Sequence, residues 1–244
     1  HIRYSESDVR GRDVSRAGAE ATWLNQWTFG TGLQMAAQAG LALDQFSTGD
    51  DTTVTDVDNS VTPSAALTFR YPFLRSAGGG ARQLLEPVAQ IGWVGGRDAD
   101  VANDESTRQE LDEGNLLSLS RFPAEDRRER GLASVLGLRF LHKAASGWEA
   151  GLAVGRVYRS TRNDDFTATS GLDNAASDWL FATHFRNTDG LYIQSRTLWD
   201  EQGEVSKSAA RGAWANDRID LGASFILLPA DTDEDRDEKG AEWT

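Results

Sequence analysis

The sequence predicts an all-β chain, an antiparallel up-and-down transmembrane β-barrel segment that leaves the barrel incomplete. Three observations predict it. Apolar side chains recur at every second position, which puts them on one face of an extended strand. Connections alternate short and long along the chain, the loop asymmetry of a membrane barrel. Five of the eight tryptophans, Trp27, Trp93, Trp148, Trp199 and Trp214, fall near predicted strand ends, as do Tyr71 and Tyr158. Amphipathic aromatics gather at a water–lipid boundary.

The elements follow in order. Residues 19–28 alternate weakly around Ala19, Ala21, Trp23 and Trp27. Gly30-Thr31-Gly32 then turns the chain into a stronger strand, with Leu33, Met35, Ala37, Ala39, Leu41 and Leu43 on one face. Ala65, Leu67, Phe69 and Tyr71 form the next apolar face. Leu85, Pro87, Ala89, Ile91 and Trp93 form another, in which Pro87 lacks a ladder donor and marks an irregularity. Leu136, Leu138 and Phe140 follow, then Trp148, Ala150, Leu152 and Val154. Trp179, Phe181 and Phe185 make the next strand, and Ile193 and Trp199 the one after. Ala210, Gly212 and Trp214 precede the last full strand, Ile219, Leu221, Ala223, Phe225 and Leu227. That makes about ten strands, with an eleventh opening at Trp243.

Short connections are expected at 29–32, 141–147, 187–190 and 215–218, with one of middle length at 74–83. Long polar ones are expected at 47–61, 98–130, 159–177 and 229–240, with 201–205 as a short exception. In a meander, alternate loops lie at opposite ends, so the sheet has a smooth end and a shaggy end.

A soluble sandwich or lipocalin-like barrel also alternates. Three features favour the membrane barrel. The second face is rich in Gly, Ala, Gln, Arg and Asp, which suits a wet lumen. The aromatics sit near strand ends. The strands are longer than the usual five or six residues of globular sheets and match the roughly 9–11 that cross a bilayer. Hydrocarbon offers no hydrogen-bond partners, so a spanning sheet has to close. The absence of cysteine excludes disulfides, thiolate zinc sites and cysteine nucleophiles. A net charge of −13 argues against nucleic-acid binding. No apolar run is long enough for a transmembrane helix.

The chain opens on His1 without a basic n-region or apolar h-region, and closes on Ala241-Glu242-Trp243-Thr244, which reads as the start of a strand. The expectation is a single domain over 1–244, an internal piece of a longer protein.

Particular motifs go further. Leu85-Glu86-Pro87-Val88-Ala89-Gln90 resembles the start of a barrel strand in the LPS-assembly outer-membrane proteins, also called organic solvent tolerance proteins, the LptD family. Asp112-Glu113-Gly114-Asn115-Leu116-Leu117-Ser118-Leu119-Ser120-Arg121-Phe122-Pro123-Ala124-Glu125-Asp126-Arg127 resembles that family's long loop, in which an acidic residue, a small apolar run, Arg-Phe and an Asp-Arg pair recur. Gly155-Arg156-Val157-Tyr158 resembles the next landmark, with Arg156 where Gln is commoner. Arg12-Asp13-Val14-Ser15-Arg16 and Ser177-Asp178-Trp179-Leu180 fit an alphaproteobacterial member.

The resemblance implies the central portion of the family's C-terminal barrel, without the N-terminal jellyroll and the terminal barrel strands. It implies a Gram-negative outer-membrane protein that takes lipopolysaccharide from a periplasmic bridge and inserts it into the outer leaflet. It implies no enzymatic activity and no cofactor. An LptE-like lipoprotein plug fills the barrel in this family, and lipid leaves between the first and last strands. No gate residue carries over, because neither gate strand is matched. A porin-like or substrate-specific channel is the alternative, and a barrel hydrolase a more distant one.

The loop 98–130 is the best candidate for a functional element. Arg121, Asp126, Arg127, Arg128 and Arg130 would form salt bridges there or contact lipid phosphates, although a charge run is ordinarily a solvated loop. Lumen-facing Arg70, Arg139, Arg186, Arg196 and Arg211 form a second set. They would guide a phosphorylated head group, or pair with Glu86, Glu149, Asp200 and Asp220 on neighbouring strands, and pairing is the preferred reading. The run Asp231-Thr232-Asp233-Glu234-Asp235-Arg236-Asp237 with Glu242 imitates a calcium loop, but Arg236 stands where the turn needs Gly. Loose sharing of divalent cations between acidic loops and lipopolysaccharide phosphates is the more plausible role for it. Of the three histidines, His1, His142 and His184, only His184 shares a strand face with Asp178 and Arg186. No Gly-x-Ser-x-Gly elbow accompanies it, and a lumen histidine without catalytic work is expected.

Overall fold

Period-two alternation resolves into one antiparallel meander. The computed structural model describes residues 2–6, 13–49, 53, 54, 56–101, 106, 109–230 and 240–244. Its strands are β1 (Ile2–Glu6), β2 (Asp13–Thr28), β3 (Gln34–Gly49), β4 (Val57–Arg70), β5 (Phe73–Ser76), β6 (Arg82–Val94), β7 (Gly131–Lys143), β8 (Glu149–Arg159), β9 (Trp179–Arg186), β10 (Leu191–Trp199), β11 (Val205–Ala215), β12 (Asp220–Leu228) and β13 (Gly240–Trp243). All lie in one sheet, paired in chain order except that β4 and β5 both pair with β6. The outermost strands, β1 and β13, do not pair with each other, so the sheet is open. No helix among the described residues is long and apolar enough to cross a membrane.

The break between β4 and β5 has a simple cause. Arg70 opposes Val88 and Phe73 opposes Leu85, so the register never changes. Between them lie Pro72 on one strand and Pro87 on the other. Neither carries an amide hydrogen, and only Tyr71 N to Pro87 O (3.1 Å) crosses the gap.

The smooth and shaggy ends are present. Tight turns at 29–33, 77–81, 144–148, 187–190 and 216–219 close one end. In the 187–190 turn, Asn187 Oδ1 accepts from the amides of Asp189 and Leu191 (3.0 and 2.9 Å), and Gly190 takes φ 85°. The other end carries the long connections 95–130 and 160–178. The expected loop 47–61 is shorter than its sequence suggested. β3 runs on to Gly49, and β4 begins at Val57.

Alternate residues diverge in environment. Along β7, Leu132, Leu136 and Leu138 are exposed while Val135 is buried. The apolar row continues across the pairs Trp93–Leu132, Leu138–Val154, Val154–Phe181 and Phe185–Ile193. Leu136 is 55% and Leu221 58% exposed. A sandwich would bury these side chains against a second sheet. Here there is one sheet, its apolar face is bare, and burial occurs on the polar side. Trp179 opposes Trp199 at the long-loop end, and Trp93 on β6 lies at the same end of the sheet. Trp27, Trp148 and Trp214 sit at the tight-turn end. Aromatics therefore flank the apolar band on both sides, as girdles do.

Candidate functional site

The polar side of the sheet is where residues converge. Asp112 starts the construction. Its Oδ1 accepts from the amides of Gly114 and Asn115 (both 2.7 Å), and Asn115 Oδ1 accepts from the Asp112 amide (2.9 Å). Asn115 Nδ2 also donates to Glu110 O (2.6 Å). This reciprocal turn aims Glu113 at one wall and Leu116 into the sheet.

Leu116 then enters a core with Leu111, Phe122, Phe166, Leu172, Val135, Val157, Leu180 and Leu198. Leu111, Leu116 and Phe122 come from connection 95–130 and Phe166 and Leu172 from 160–178, so both connections pack onto strands β7–β10. Phe122 stacks on Phe166 with centroids 4.6 Å apart, and Leu111 N donates to Ser170 O (3.0 Å). Glycines in the strands make the room. A Cβ at Gly155 would overlap Leu116, and one at Gly92 would overlap Leu119. The solvated-loop expectation for 98–130 is therefore corrected. The segment's described residues form a plug on the lumen face, because its scattered apolar residues find these small-residue seats.

The charges of the plug serve it internally. Arg121, with its side chain 1% exposed, donates to Glu129 Oε1 (2.8 Å) and to Leu116 O (3.0 Å). Arg159 reaches the other oxygen of Glu129 (3.4 Å) and lies over the Phe166 ring. Asp126 accepts from the Ser106 hydroxyl (2.5 Å). Arg127 donates to Val101 O (3.0 Å) and approaches Asp165 (3.6 Å). Arg130 binds Asp98 (2.6 Å). Arg121, Asp126 and Arg127 thus stitch the segment together.

Ion pairs also fasten the plug to two opposite walls. On β2 and β3, Arg16 binds Asp44 (2.5 Å) and Glu125, and Arg128 reaches Asp44 (3.3 Å). On β10 and β11, Arg196 binds Glu113 (2.8 Å) and Glu110 (3.4 Å), while Lys207 binds Glu110 (2.7 Å). The segment therefore crosses the lumen face from one wall to the other. Burial raises the pKa values of Glu113 and Glu125, but the hydrogen bonds from Arg196 and Arg16 outweigh it, and both end below the ordinary glutamate range. Burial pushes Asp178, in connection 160–178, above the usual carboxylate range, against a hydrogen bond from Ser206, and one of its oxygens is buried without a partner among the described residues.

Beside the plug lies a cavity of about 620 Å³, roofed by Glu113, Gly114, Leu116 and Leu117. Four arginines line it, Arg70, Arg139, Arg196 and Arg211, against two glutamates, Glu86 and Glu113. Arg70 pairs with Glu86 (2.9 Å), and Arg196 is held by the plug. Arg139 opposes Glu86 in the ladder, yet neither it nor Arg211 has an ion pair or hydrogen bond among the described residues. Arg186 binds Glu149 (3.0 Å) toward the tight-turn end, outside the cavity. The cross-strand pairing reading therefore holds for Arg70 and Arg186. It is corrected for Arg196, whose partners come from the plug, and neither Asp200 nor Asp220 pairs with an arginine among the described residues. His184 lies over Gly151, with Nε2 3.5 Å from Glu149 Oε1. No serine bonds to it among the described residues. The acidic run 231–237 lies outside the described residues.

Sequence reasoning missed Arg16, Asp44, Glu110, Glu113 and Glu129. The legible hint was glycine inside strand alternation, at Gly92, Gly137 and Gly155, which marks a close approach from the lumen side.

A family model described as "LptD: LPS transport system D" matches residues 1–239. Among proteins with curated descriptions, none matches the chain.

Proposed function

The chain belongs to the LptD family, outer-membrane proteins of lipopolysaccharide transport and assembly, and from that premise we propose that it inserts lipopolysaccharide into the outer leaflet. The observation that carries this reading is the division of one sheet into a bare apolar face and a polar face holding a strapped plug and a cationic cavity. An amphiphile with an oily end and a charged saccharide end needs both environments at once. In this reading the sheet is the central part of a barrel, and further strands pair with β1 and β13, because open edges in hydrocarbon leave backbone groups without partners. The work is binding and conduction, without bond chemistry. In the same reading an LptE-like lipoprotein plug docks toward the tight turns, where the Arg186 side chain is 59% exposed. Lipopolysaccharide arrives through a periplasmic bridge.

The test is complementation. Cells depleted of their own transporter and supplied with the full-length protein are expected to regain surface lipopolysaccharide, read by an antibody to the saccharide on intact cells. Correctly assembled protein with no surface lipopolysaccharide would contradict the reading.

A further inference from the structure

The unpartnered arginines call for a ligand. The chain carries a net charge of −13, yet the cavity is lined by twice as many arginines as glutamates. Arg139 lies on β7 in a cross-strand row that runs Arg139, Ala153, Ala182, Arg196. The two alanines leave a hollow floor about 14 Å long between the arginines, at about 4.8 Å per strand. Arg211, on β11, lies in the adjacent row with Gln194, His184 and Gly151. Arg139 and Arg211 are thus four strands apart on one curved floor and face the same cavity.

We propose that this cavity is a binding site for an extended saccharide bearing at least two anionic groups, phosphate or carboxylate, one at Arg139 and one at Arg211. The proposal rests on the lipopolysaccharide reading above and deepens it by naming the part of the molecule that is recognised. A planar guanidinium takes an oxyanion through two parallel hydrogen bonds, and an unpaired one has no internal carboxylate to displace. The separation of the two arginines selects length. A single small anion reaches one of them at a time, whereas a short charged saccharide spans both and gains from the linkage. Gln194 and His184 supply polar contacts along the floor. Arg70 and Arg196 add positive potential while remaining tied to Glu86 and Glu113.

The experiment is calorimetric titration of the full-length protein in detergent with soluble core oligosaccharide released from lipopolysaccharide. Two further arms use the same saccharide dephosphorylated and carboxyl-reduced. The parent protein is expected to bind the intact saccharide, and R139Q/R211Q to bind it at least tenfold more weakly. R139K/R211K is expected to fall between them, and R218Q, in a tight turn, to match the parent. Heat-modifiable gel mobility checks that each variant is a folded barrel. Weakening by dephosphorylation assigns phosphate, and weakening by carboxyl reduction assigns carboxylate. The proposal is overturned if the parent does not bind, if the folded double variant binds as tightly as the parent, or if inorganic phosphate binds as tightly as the saccharide. Surface lipopolysaccharide in complemented cells separates the two readings. If delivery succeeds without saccharide binding, the cavity site fails and the transport reading stands; if delivery fails in the parent, the transport reading fails.

Discussion

Glu113 accepts a hydrogen bond from Arg196 at 2.8 Å, across 83 residues of chain. With Glu125 on Arg16 at the opposite wall, it makes the plug a strap fastened at two sides. Both carboxylates titrate below the ordinary range in the folded protein. A depressed folded pKa means that the stabilisation is present above the unfolded value, roughly 4.3, and is lost as pH falls through the folded pKa. The strap is therefore expected to be fully held at neutral pH and to loosen in acid below the ordinary glutamate range. Hydrogen exchange of residues 109–130, normalised to intrinsic rates, checks this. Glu113→Gln should reproduce part of the loosening at neutral pH, at a cost below about 1 kcal/mol because the pair is partly exposed.

Glu129 should matter far more. It is buried and compensates two buried arginines, Arg121 and Arg159. Glu129→Gln leaves Arg121 without its carboxylate partner and Arg159 with only the attraction of Asp173, and breaking such a group typically costs about 3–5 kcal/mol. The expected result is a plug open to protease at 109–130 in a barrel that still shows heat-modifiable mobility. A protected plug in this variant would contradict the placement.

Leu116 should report the packing itself. Leu116→Ala is expected to cost about 2–5 kcal/mol of plug stability. Gly155→Val, which puts two methyl groups where Leu116 sits, should displace the plug by overpacking. Leu116→Ala in the Gly155→Val background should recover part of the loss, since the two sites share one space. Strictly additive losses in the double variant would argue against contact.

Asp178 predicts a gain. Its folded pKa is raised by burial. A raised carboxylate contributes most below its unfolded pKa, and that contribution is lost as pH rises through the folded value. Asp178→Asn removes this dependence and is expected to slow hydrogen exchange in residues 160–178 at neutral pH relative to the parent, with the difference vanishing in acid.

The strands were legible because their outward side chains face one environment all along. Leu132, Leu136 and Leu138 therefore read as a pattern without knowledge of their neighbours. The first half of β4 was not legible in this way. Its inward Asp58, Ser60 and Thr62 are buried polar residues, and Asp58 is satisfied by Arg97, 39 residues away. Such a segment reads as a polar loop. β1 lay in a charged stretch and was missed for a similar reason. The plug was hidden by the same long-range logic. Arg121 and Glu129 are eight residues apart in a segment with no sustained periodicity, and Leu111, Leu116 and Phe122 are scattered among charges. Pairing along neighbouring strands made the Arg70 and Arg186 partners readable. The partner of Arg196 depended on the path of the plug.

The most direct measurement is a spin-label scan along β7. The chain has no cysteine, so labels placed one at a time at 134–140 of the barrel in liposomes report one site each, in a background whose other cysteines are removed. The account predicts that labels at 136, 138 and 140 are accessible to oxygen dissolved in lipid. A label at 139, which faces the cavity, should instead be accessible to a water-soluble nickel chelate, and one at 137, beneath Leu116, should be shielded from oxygen. Loss of this alternation, or protection of 136, 138 and 140 from both probes, would contradict a sheet with one face in lipid and the other in a wet lumen.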